Sequence, residues 1–433
     1  MPEEEPILQV ALDFPDLHRA LKVAEEAVKG GADWLEAGTP LIKGEGLNAV
    51  RELRRRFPRK TIVADMKTVD TGSLEIEMAA KAGADVVIIL GSSDDSTVRE
   101  AVEAGRRYGA KIMVDILGVE NPVERAARLE MLGADYLCVH VGIDQQMKGI
   151  DPISLLREIS SKCRLPLAVA GGINSETAAK AVEAGARIVI VGGAITKASN
   201  AEEAARKIKE AMLSRKPIPS EAYKKFSVEN VKAAFLRVST PNISDAMHRK
   251  GAMQGIAPIT PGVKMVGQAF TVRTYPGDWA KPVEVIDEAK PGEVIVIDAR
   301  GCSEAVWGEL ATWSALVKGI SGVVIDGAVR DVEEIRRLGF PCFARSITAR
   351  AGEPKGFGEV NVEVECGGVR VKPGDWIIGD DNGVVVVPKD LAVEIANRAE
   401  DIKEKEERIR SEIKAGSTLS KVLRLRKWEK VLG

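Results

Sequence analysis

The sequence predicts an α/β protein of two domains, an N-terminal (β/α)8 barrel followed by a second α/β domain. Three observations carry this. A Gly-Ala pair leading into a short apolar run recurs at Gly31-Ala32, Gly83-Ala84, Gly109-Ala110, Gly133-Ala134 and Gly185-Ala186. Stretches rich in Ala, Glu, Lys and Arg, helical in character, separate these runs. The repeat stops at Ser214-Arg215-Lys216-Pro217-Ile218-Pro219-Ser220, where two prolines in three residues end helices and stiffen a linker.

In chain order the first strand is Ile7 to Leu12, without a Gly-Ala lead. The second follows Gly31-Ala32 as Trp34-Leu35-Glu36, and the third is Thr61 to Ala64. The fourth, fifth and sixth follow their own Gly-Ala pairs and end at Ile88, Val114 and Cys138. Leu165 to Ala170 is the seventh, and Ile188-Val189-Ile190 after Gly185-Ala186 the eighth. Each glycine closes a helix and the apolar run begins the next strand. Runs apolar on both faces and alternating with helices belong to a parallel sheet. Eight such units in roughly 210 residues fit a closed barrel, with an open doubly wound sheet as the alternative. A helix from about Ala201 to Met212 completes the first domain. The expected boundaries are 1–214 for the barrel, 215–226 for the linker and 227–433 for the second domain. There the strand-like runs are Gly267 to Arg273, Glu293 to Asp298, Gly322 to Ile325 and Gly383 to Val387. Lys389 to Lys414 reads as a closing charged helix whose 403–408 face is solvated.

In such barrels chemistry sits at the C-terminal ends of the strands. Here those ends carry Asp13, Glu36, Asp65 with Lys67, Asp115 and His140. The run Asp65-Met66-Lys67-Thr68-Val69-Asp70 places two carboxylates around one ammonium. Residues two apart on a strand share a face, so Asp65 and Lys67 point the same way. A close carboxylate keeps the lysine charged, and the lysine stabilises an anion formed beside it. Read alone, the run is a solvated charge cluster; its place at a strand end favours chemistry. The last two strands end instead in Gly171-Gly172 and Gly192-Gly193, which expose backbone N–H groups where a phosphate docks.

These residues resemble the 3-hexulose-6-phosphate synthase family, within the orotidine-monophosphate decarboxylase superfamily. The matching segments are Ala11-Leu12-Asp13, Glu36-Ala37-Gly38-Thr39-Pro40, Asp65-x-Lys67-x-x-Asp70, His140-Val141-Gly142-Ile143-Asp144-Gln145-Gln146, Gly171-Gly172-Ile173 and Gly192-Gly193-Ala194-Ile195-Thr196, over about residues 6 to 212. The resemblance implies aldol addition of formaldehyde to ribulose 5-phosphate, or the reverse, with Mg2+ or Mn2+. It also implies that Glu36 and Asp65 are metal ligands and that Asp13, Lys67, Asp70 and His140 are catalytic. Asp70 in this superfamily reaches the neighbouring subunit's site, which implies a homodimer or higher oligomer. A hard cation held by carboxylate oxygens neutralises an enediolate, Lys67 adds charge there, and His140 suits proton transfer near neutral pH. The sister reaction, decarboxylation of a 3-keto-gulonate 6-phosphate, is the alternative.

Composition bounds the rest. At 433 residues the chain suits two domains, and 45% hydrophobic residues can fill both cores. A net charge of −2 provides no global field for nucleic acid or anionic membrane. Five scattered cysteines without a C-x-x-C argue a reducing, cytoplasmic setting without zinc or disulfide staples. The acidic start, Met1-Pro2-Glu3-Glu4-Glu5, is no signal peptide, and no apolar run approaches a membrane span.

The second half carries Trp307-Gly308-Glu309-Leu310-Ala311-Thr312 and Asp326-Gly327-Ala328-Val329-Arg330-Asp331. With Ser239 to Ala246, Pro261-Gly262 and Gly379 to Pro388, these resemble the family shared by ribonuclease-activity regulators and metal-dependent 4-hydroxy-4-methyl-2-oxoglutarate aldolases, over about residues 227 to 400. Aldolase members place an acidic residue twenty-one positions before Arg-Asp, and counting back from Arg330 reaches Glu309. Asp is commoner there, and regulators can have Gly. The resemblance implies Glu309 and Asp331 at a divalent ion and Arg330 on a substrate carboxylate or ketone oxygen, which a planar fork suits. Backbone N–H groups after Gly308, at Glu309 and Leu310, would hold a keto-acid carboxylate. The alternative reading makes Arg330-Asp331 a structural ion pair and this half a regulator or assembly module. No basic cluster near these residues points to RNA.

Overall fold

The computed structural model describes residues 5–148, 150–220 and 226–423, which form two compact units: 5–220 with 404–423, and 226–403. In the first unit, β1 (Ile7–Leu12), β2 (Trp34–Ala37), β3 (Thr61–Thr68), β4 (Val86–Leu90), β5 (Lys111–Asp115), β6 (Tyr136–His140), β7 (Leu167–Ala170) and β8 (Ala186–Val191) close a parallel barrel in sequence order. Closure is β8 against β1, with Ile7 opposite Ile188. The expected eight strands are all present. β7 starts two residues late, after Pro166, which has no N–H to give a ladder.

The Gly-Ala-Asp repeat has a two-part structural cause. The five repeat glycines all adopt left-handed φ, between 79° and 108°, which lets the chain leave its helix and turn into a strand. The aspartate that follows three of these pairs then caps the neighbouring strand. Asp33 accepts the Leu8 N–H at 2.7 Å, Asp85 that of Ile62 at 2.8 Å and Asp135 that of Ile112 at 2.8 Å. Each carboxylate thereby ties the start of one strand to the start of its neighbour and fixes barrel register. Val63, Ile88, Met113, Cys138 and Ile188 fill the barrel interior, and a larger apolar shell lies between strands and helices.

The second unit is built on β9 (Ala257–Pro258), β10 (Met265–Thr274), β11 (Val294–Trp307), β12 (Gly322–Val329), β13 (Cys342–Ile347), β14 (Gly358–Val360), β15 (Val364–Cys366), β16 (Val369–Val371), β17 (Trp376–Asp380) and β18 (Gly383–Val387). Its main sheet runs β18-β17-β10-β11-β12-β13-β9, with β10 to β13 mutually parallel. β14 pairs with β10, and β15 with β16 forms a separate hairpin. β13 and β17 were not legible as strands. β11 runs nine residues past the apolar run through the polar stretch Arg300 to Glu304, where its ladder with β12 slips repeatedly.

The closing helix is Ala392–Lys414, after a 3-10 turn at Lys389–Leu391. Ala392, Ile395, Ala396 and Ala399 are buried in the second unit. The 403–408 run is not simply solvated: Arg408 is only 4% exposed, ion-paired with Glu412 and Glu26 and donating to the Ala198 carbonyl. Among the described residues no helix is long and apolar enough to cross a membrane.

Candidate active site

At the C-terminal rim of the barrel the ionisable strand ends meet. Lys67 Nζ lies 3.1 Å from Asp65 Oδ2 and 3.0 Å from Asp115 Oδ2. The same Asp115 oxygen is 2.7 Å from His140 Nδ1, and its other oxygen accepts the Leu117 N–H at 2.9 Å. One buried carboxylate of β5 thus joins the lysine of β3 to the histidine of β6. Asp65 and Lys67 meet as expected, though not by simple pleating. The β3–β4 ladder slips between Asp65 and Thr68, and Lys67 holds a left-handed φ of 48°. Such a conformation costs on the order of 1–3 kcal/mol in a residue with a side chain and persists where the surroundings impose it.

Charge accounts for the protonation of this chain. Burial works against the Lys67 ammonium, but Asp115 and then Asp65 outweigh it and raise its pKa above the ordinary lysine range. Burial would raise the Asp115 carboxyl, yet His140 and Lys67 together bring it down to about 2. An ionised carboxylate only accepts hydrogen bonds, so the hydrogen of this contact sits on His140 Nδ1 and Nε2 is left for chemistry.

Glu36, on β2, is 4% exposed, and Gln9 Nε2 donates to its Oε2 at 2.5 Å. Burial, then Asp65 and Asp13, push its carboxyl well above the usual range. Asp13 opens to solvent at the barrel mouth, but the walls crowding it reduce its hydration and, with Asp65, raise its pKa too. Thr39 Oγ1 donates to Asp65 Oδ2 at 2.8 Å. This is an oxygen-only donor set in which burial and like charge outweigh the nearby Lys67 ammonium at Glu36 and Asp13, the chemistry a hard divalent cation relieves. Among the described residues no three acidic, His or Cys side chains form a ready cage. Mg2+ is held by one or two carboxylates and keeps waters or substrate oxygens for the rest. Glu36 and Asp65 therefore fit the ion.

A Cβ on Gly38 would lie 2.2 Å from Asp13 Oδ1, so a side chain there would displace the Asp13 carboxylate. At the end of β7, Gly171 and Gly172 have φ of 110° and 70°, and a Cβ on Gly171 would lie 2.4 Å from the Val141 carbonyl oxygen. Gly192 follows β8 beside Asp13, and Gly193 opens the short helix Gly193–Thr196. Asp70 stands apart from the cluster: it is exposed and accepts the Thr71 N–H at 2.7 Å, next to exposed Val69 and Leu74.

In the second unit, β11 and β12 end side by side at Trp307 and Val329. Gly308 caps the helix Glu309–Lys318, and a Cβ on it would come within 2.6 Å of Asp331 Oδ2. That oxygen accepts the Glu309 N–H at 3.2 Å and lies 3.4 Å from Arg330 Nε. Asp331 has a left-handed φ of 57°. Glu309, Arg330 and Asp331 are thus brought together at one solvent-open corner. The Glu309 amide already serves Asp331, and the Leu310 side chain projects into solvent.

Residues 6–208 match the family described as "Orotidine 5'-phosphate decarboxylase / HUMPS family". The 3-hexulose-6-phosphate synthase of Bacillus subtilis is 39% identical over 204 residues, 47% of this chain and 97% of that relative. That of Mycobacterium gastri is 39% identical over 47% of this chain and 99% of its own length. The barrel belongs to this family. It is a 3-hexulose-6-phosphate synthase-like domain. Residues 240–386 match the family described as "RraA-like: Aldolase/RraA". A solved Streptomyces coelicolor structure, RraAS2, described as an unusual member of the RNase ES inhibitor RraA protein family, is 30% identical, covers 44% of this chain and 100% of its own, with a TM-score of 0.40. The chain therefore fuses a synthase-like barrel to an RraA-like domain.

Three polar residues of the synthase-like site were not singled out as site residues from sequence. Asp115 was visible only as an ionisable strand end. Gln9 was visible as a polar side chain inside the apolar run of β1, and Thr39 had no signal beyond its motif.

Proposed function

We propose that the barrel catalyses the aldol addition of formaldehyde to ribulose 5-phosphate and its reverse. The observation that carries this reading is the chain Asp65–Lys67–Asp115–His140 at one rim. His140 Nε2 takes the proton from C1 of the ketose. Lys67 faces the negative charge that grows on the ketose oxygens, while Asp115 holds both cation and imidazole in place. The new bond joins C1 to the formaldehyde carbon, and a proton passes to the aldehyde oxygen. Glu36 and Asp65 would hold Mg2+ or Mn2+, which would supply a second positive charge at those oxygens. The phosphate rests at the Gly171-Gly172 and Gly192-Gly193 turns, where side-chain-free backbone admits close approach. Formaldehyde consumption that requires ribulose 5-phosphate, and that is lost in Lys67→Ala, tests the assignment.

Exposed Asp70, flanked by Val69 and Leu74, is read as reaching a second copy's site in a homodimer. Mixing Asp70→Ala with Lys67→Ala protein then restores activity, up to about a quarter of the wild-type level by random pairing of two chains. Turnover no higher than either variant alone, or a monomer in sedimentation, contradicts this.

For the RraA-like domain the reading is divalent-metal-dependent carbon–carbon cleavage of a small keto acid, with Glu309 and Asp331 toward the ion. Cleavage leaves an enolate beside a carboxylate, and the half-exposed Arg330 guanidinium can bind either. Arg330→Lys keeps the charge but loses the fork, so turnover of oxaloacetate by the full chain is expected to fall about 10²-fold. Wild-type protein without keto-acid turnover sinks this reading and leaves the regulator alternative.

A further inference from the structure

Gln146 is 5% exposed, and the mechanism above does not use it. Its Nε2 donates to the Val141 carbonyl at 2.8 Å, while its Oε1 is sealed from solvent and has no hydrogen-bond partner. A buried, unpaired acceptor is a free-energy cost that an apolar side chain would avoid. What surrounds the amide gives it a purpose. The Val141 carbonyl it binds directly follows His140 and is the atom against which Gly171 packs, since a Cβ there would stand 2.4 Å away. A Cβ on Gly171 would also meet Val141 Cβ at 3.1 Å and Gln146 Nε2 at 3.2 Å, and one on Gly172 would meet Gln146 Oε1 at 3.4 Å. The Val141 N–H in turn donates to the Ala170 carbonyl at 3.1 Å. One amide therefore hydrogen-bonds the strand end that carries His140 and stands against the left-handed double-glycine turn after β7.

We propose that Gln146 is a positioning residue that sets the distance between the proton-moving end of the site and the turn that receives a phosphate group. Resting on the sugar-phosphate reading of the barrel, this assigns Gln146 to affinity for the phosphate end of the substrate and not to bond making. A phosphorylated ligand must bridge both ends at once, so a turn that drifts weakens the grip on phosphate while leaving the chemistry of a bound substrate intact.

Gln146→Met keeps the length and volume of the side chain and removes the amide. In the full chain, KM for ribulose 5-phosphate is expected to rise about tenfold with kcat within about threefold of wild type. The Kd for inorganic phosphate, by calorimetry, is expected to weaken in parallel. Losing the orphaned oxygen offsets losing the Nε2 bond to the Val141 carbonyl, so the melting temperature stays within about 2 °C of wild type. Unchanged KM and phosphate Kd overturn the proposal. So does a loss of affinity that comes with a lowered melting temperature, which marks an ordinary packing role. If wild-type protein binds phosphate in a Gln146-dependent way but does not turn over ribulose 5-phosphate, the reaction assignment falls and this inference stands. Wild-type protein that turns over ribulose 5-phosphate but binds no phosphate overturns this inference and leaves the reaction assignment standing.

Discussion

Lys67→Ala is expected to lower formaldehyde-dependent turnover of ribulose 5-phosphate by about 10³-fold or more, as loss of a preorganised charge at a developing anion does. Three features make the lysine hard to replace. Its Nζ is within 3.2 Å of carboxylates on two strands, its charge is held by both, and its backbone is bent into left-handed space to bring it there. Lys67→Arg is expected to fail as well, because a broad guanidinium does not fit between Asp65 and Asp115 at these distances. Far-UV circular dichroism should stay that of the wild type, since the strands and their apolar shells do not depend on the lysine. Turnover by Lys67→Ala within tenfold of wild type would remove the lysine from the mechanism.

The second large effect belongs to Asp115, through which Lys67 and His140 are coupled. Asp115→Asn leaves the amide near both partners but removes the charge that fixes the hydrogen on His140 Nδ1. Turnover is expected to fall about 10²- to 10⁴-fold, the range over which a positioned acid–base group contributes. The same substitution reports on stability. The folded-state pKa of Asp115 is depressed from 3.8 to about 2, so its contribution is present above the unfolded value and is lost as pH falls toward 2. Wild type should exceed Asp115→Asn by about 2 kcal/mol near pH 6, and the gap should close toward pH 2. Glu36 and Asp13 act with the opposite sign, because their pKa values are raised and their ionisation opposes folding. The difference between the two proteins, not the acid unfolding of either, isolates Asp115. A gap that is constant with pH would refute the shared-carboxylate account.

Much of this was legible in the sequence because the barrel repeats itself. Glycines that need left-handed φ, followed by aspartates that cap a neighbouring strand, leave a signature at fixed places, and strands covered on both faces read as unbroken apolar runs. Strand ends then mark Asp13, Glu36, Asp65, Lys67 and His140 as candidates without any side-chain geometry. The sequence could not show that Asp115 is the hub, because its partners lie 25 and 48 residues away. Nor could it show that Lys67 reaches Asp65 through a bulge, since periodicity assumes a regular pleat. In the RraA-like domain β13 and β17 escaped notice. Cys342-Phe343-Ala344-Arg345-Ser346 turns polar halfway along, and Trp376-Ile377-Ile378-Gly379-Asp380 is too short to stand out from its turns. The burial of Arg408 was invisible for the same reason as Asp115: Glu26 and the Ala198 carbonyl are remote in sequence.

The most direct test of the central claim is to incubate the full chain with isotopically labelled formaldehyde, ribulose 5-phosphate and Mg2+, with Lys67→Ala alongside, and to follow the label by NMR. The account predicts that the label becomes bonded to C1 of the sugar, giving a hexulose 6-phosphate with wild-type protein and not with the variant. Label that stays free, or incorporation equal in both proteins, would contradict it.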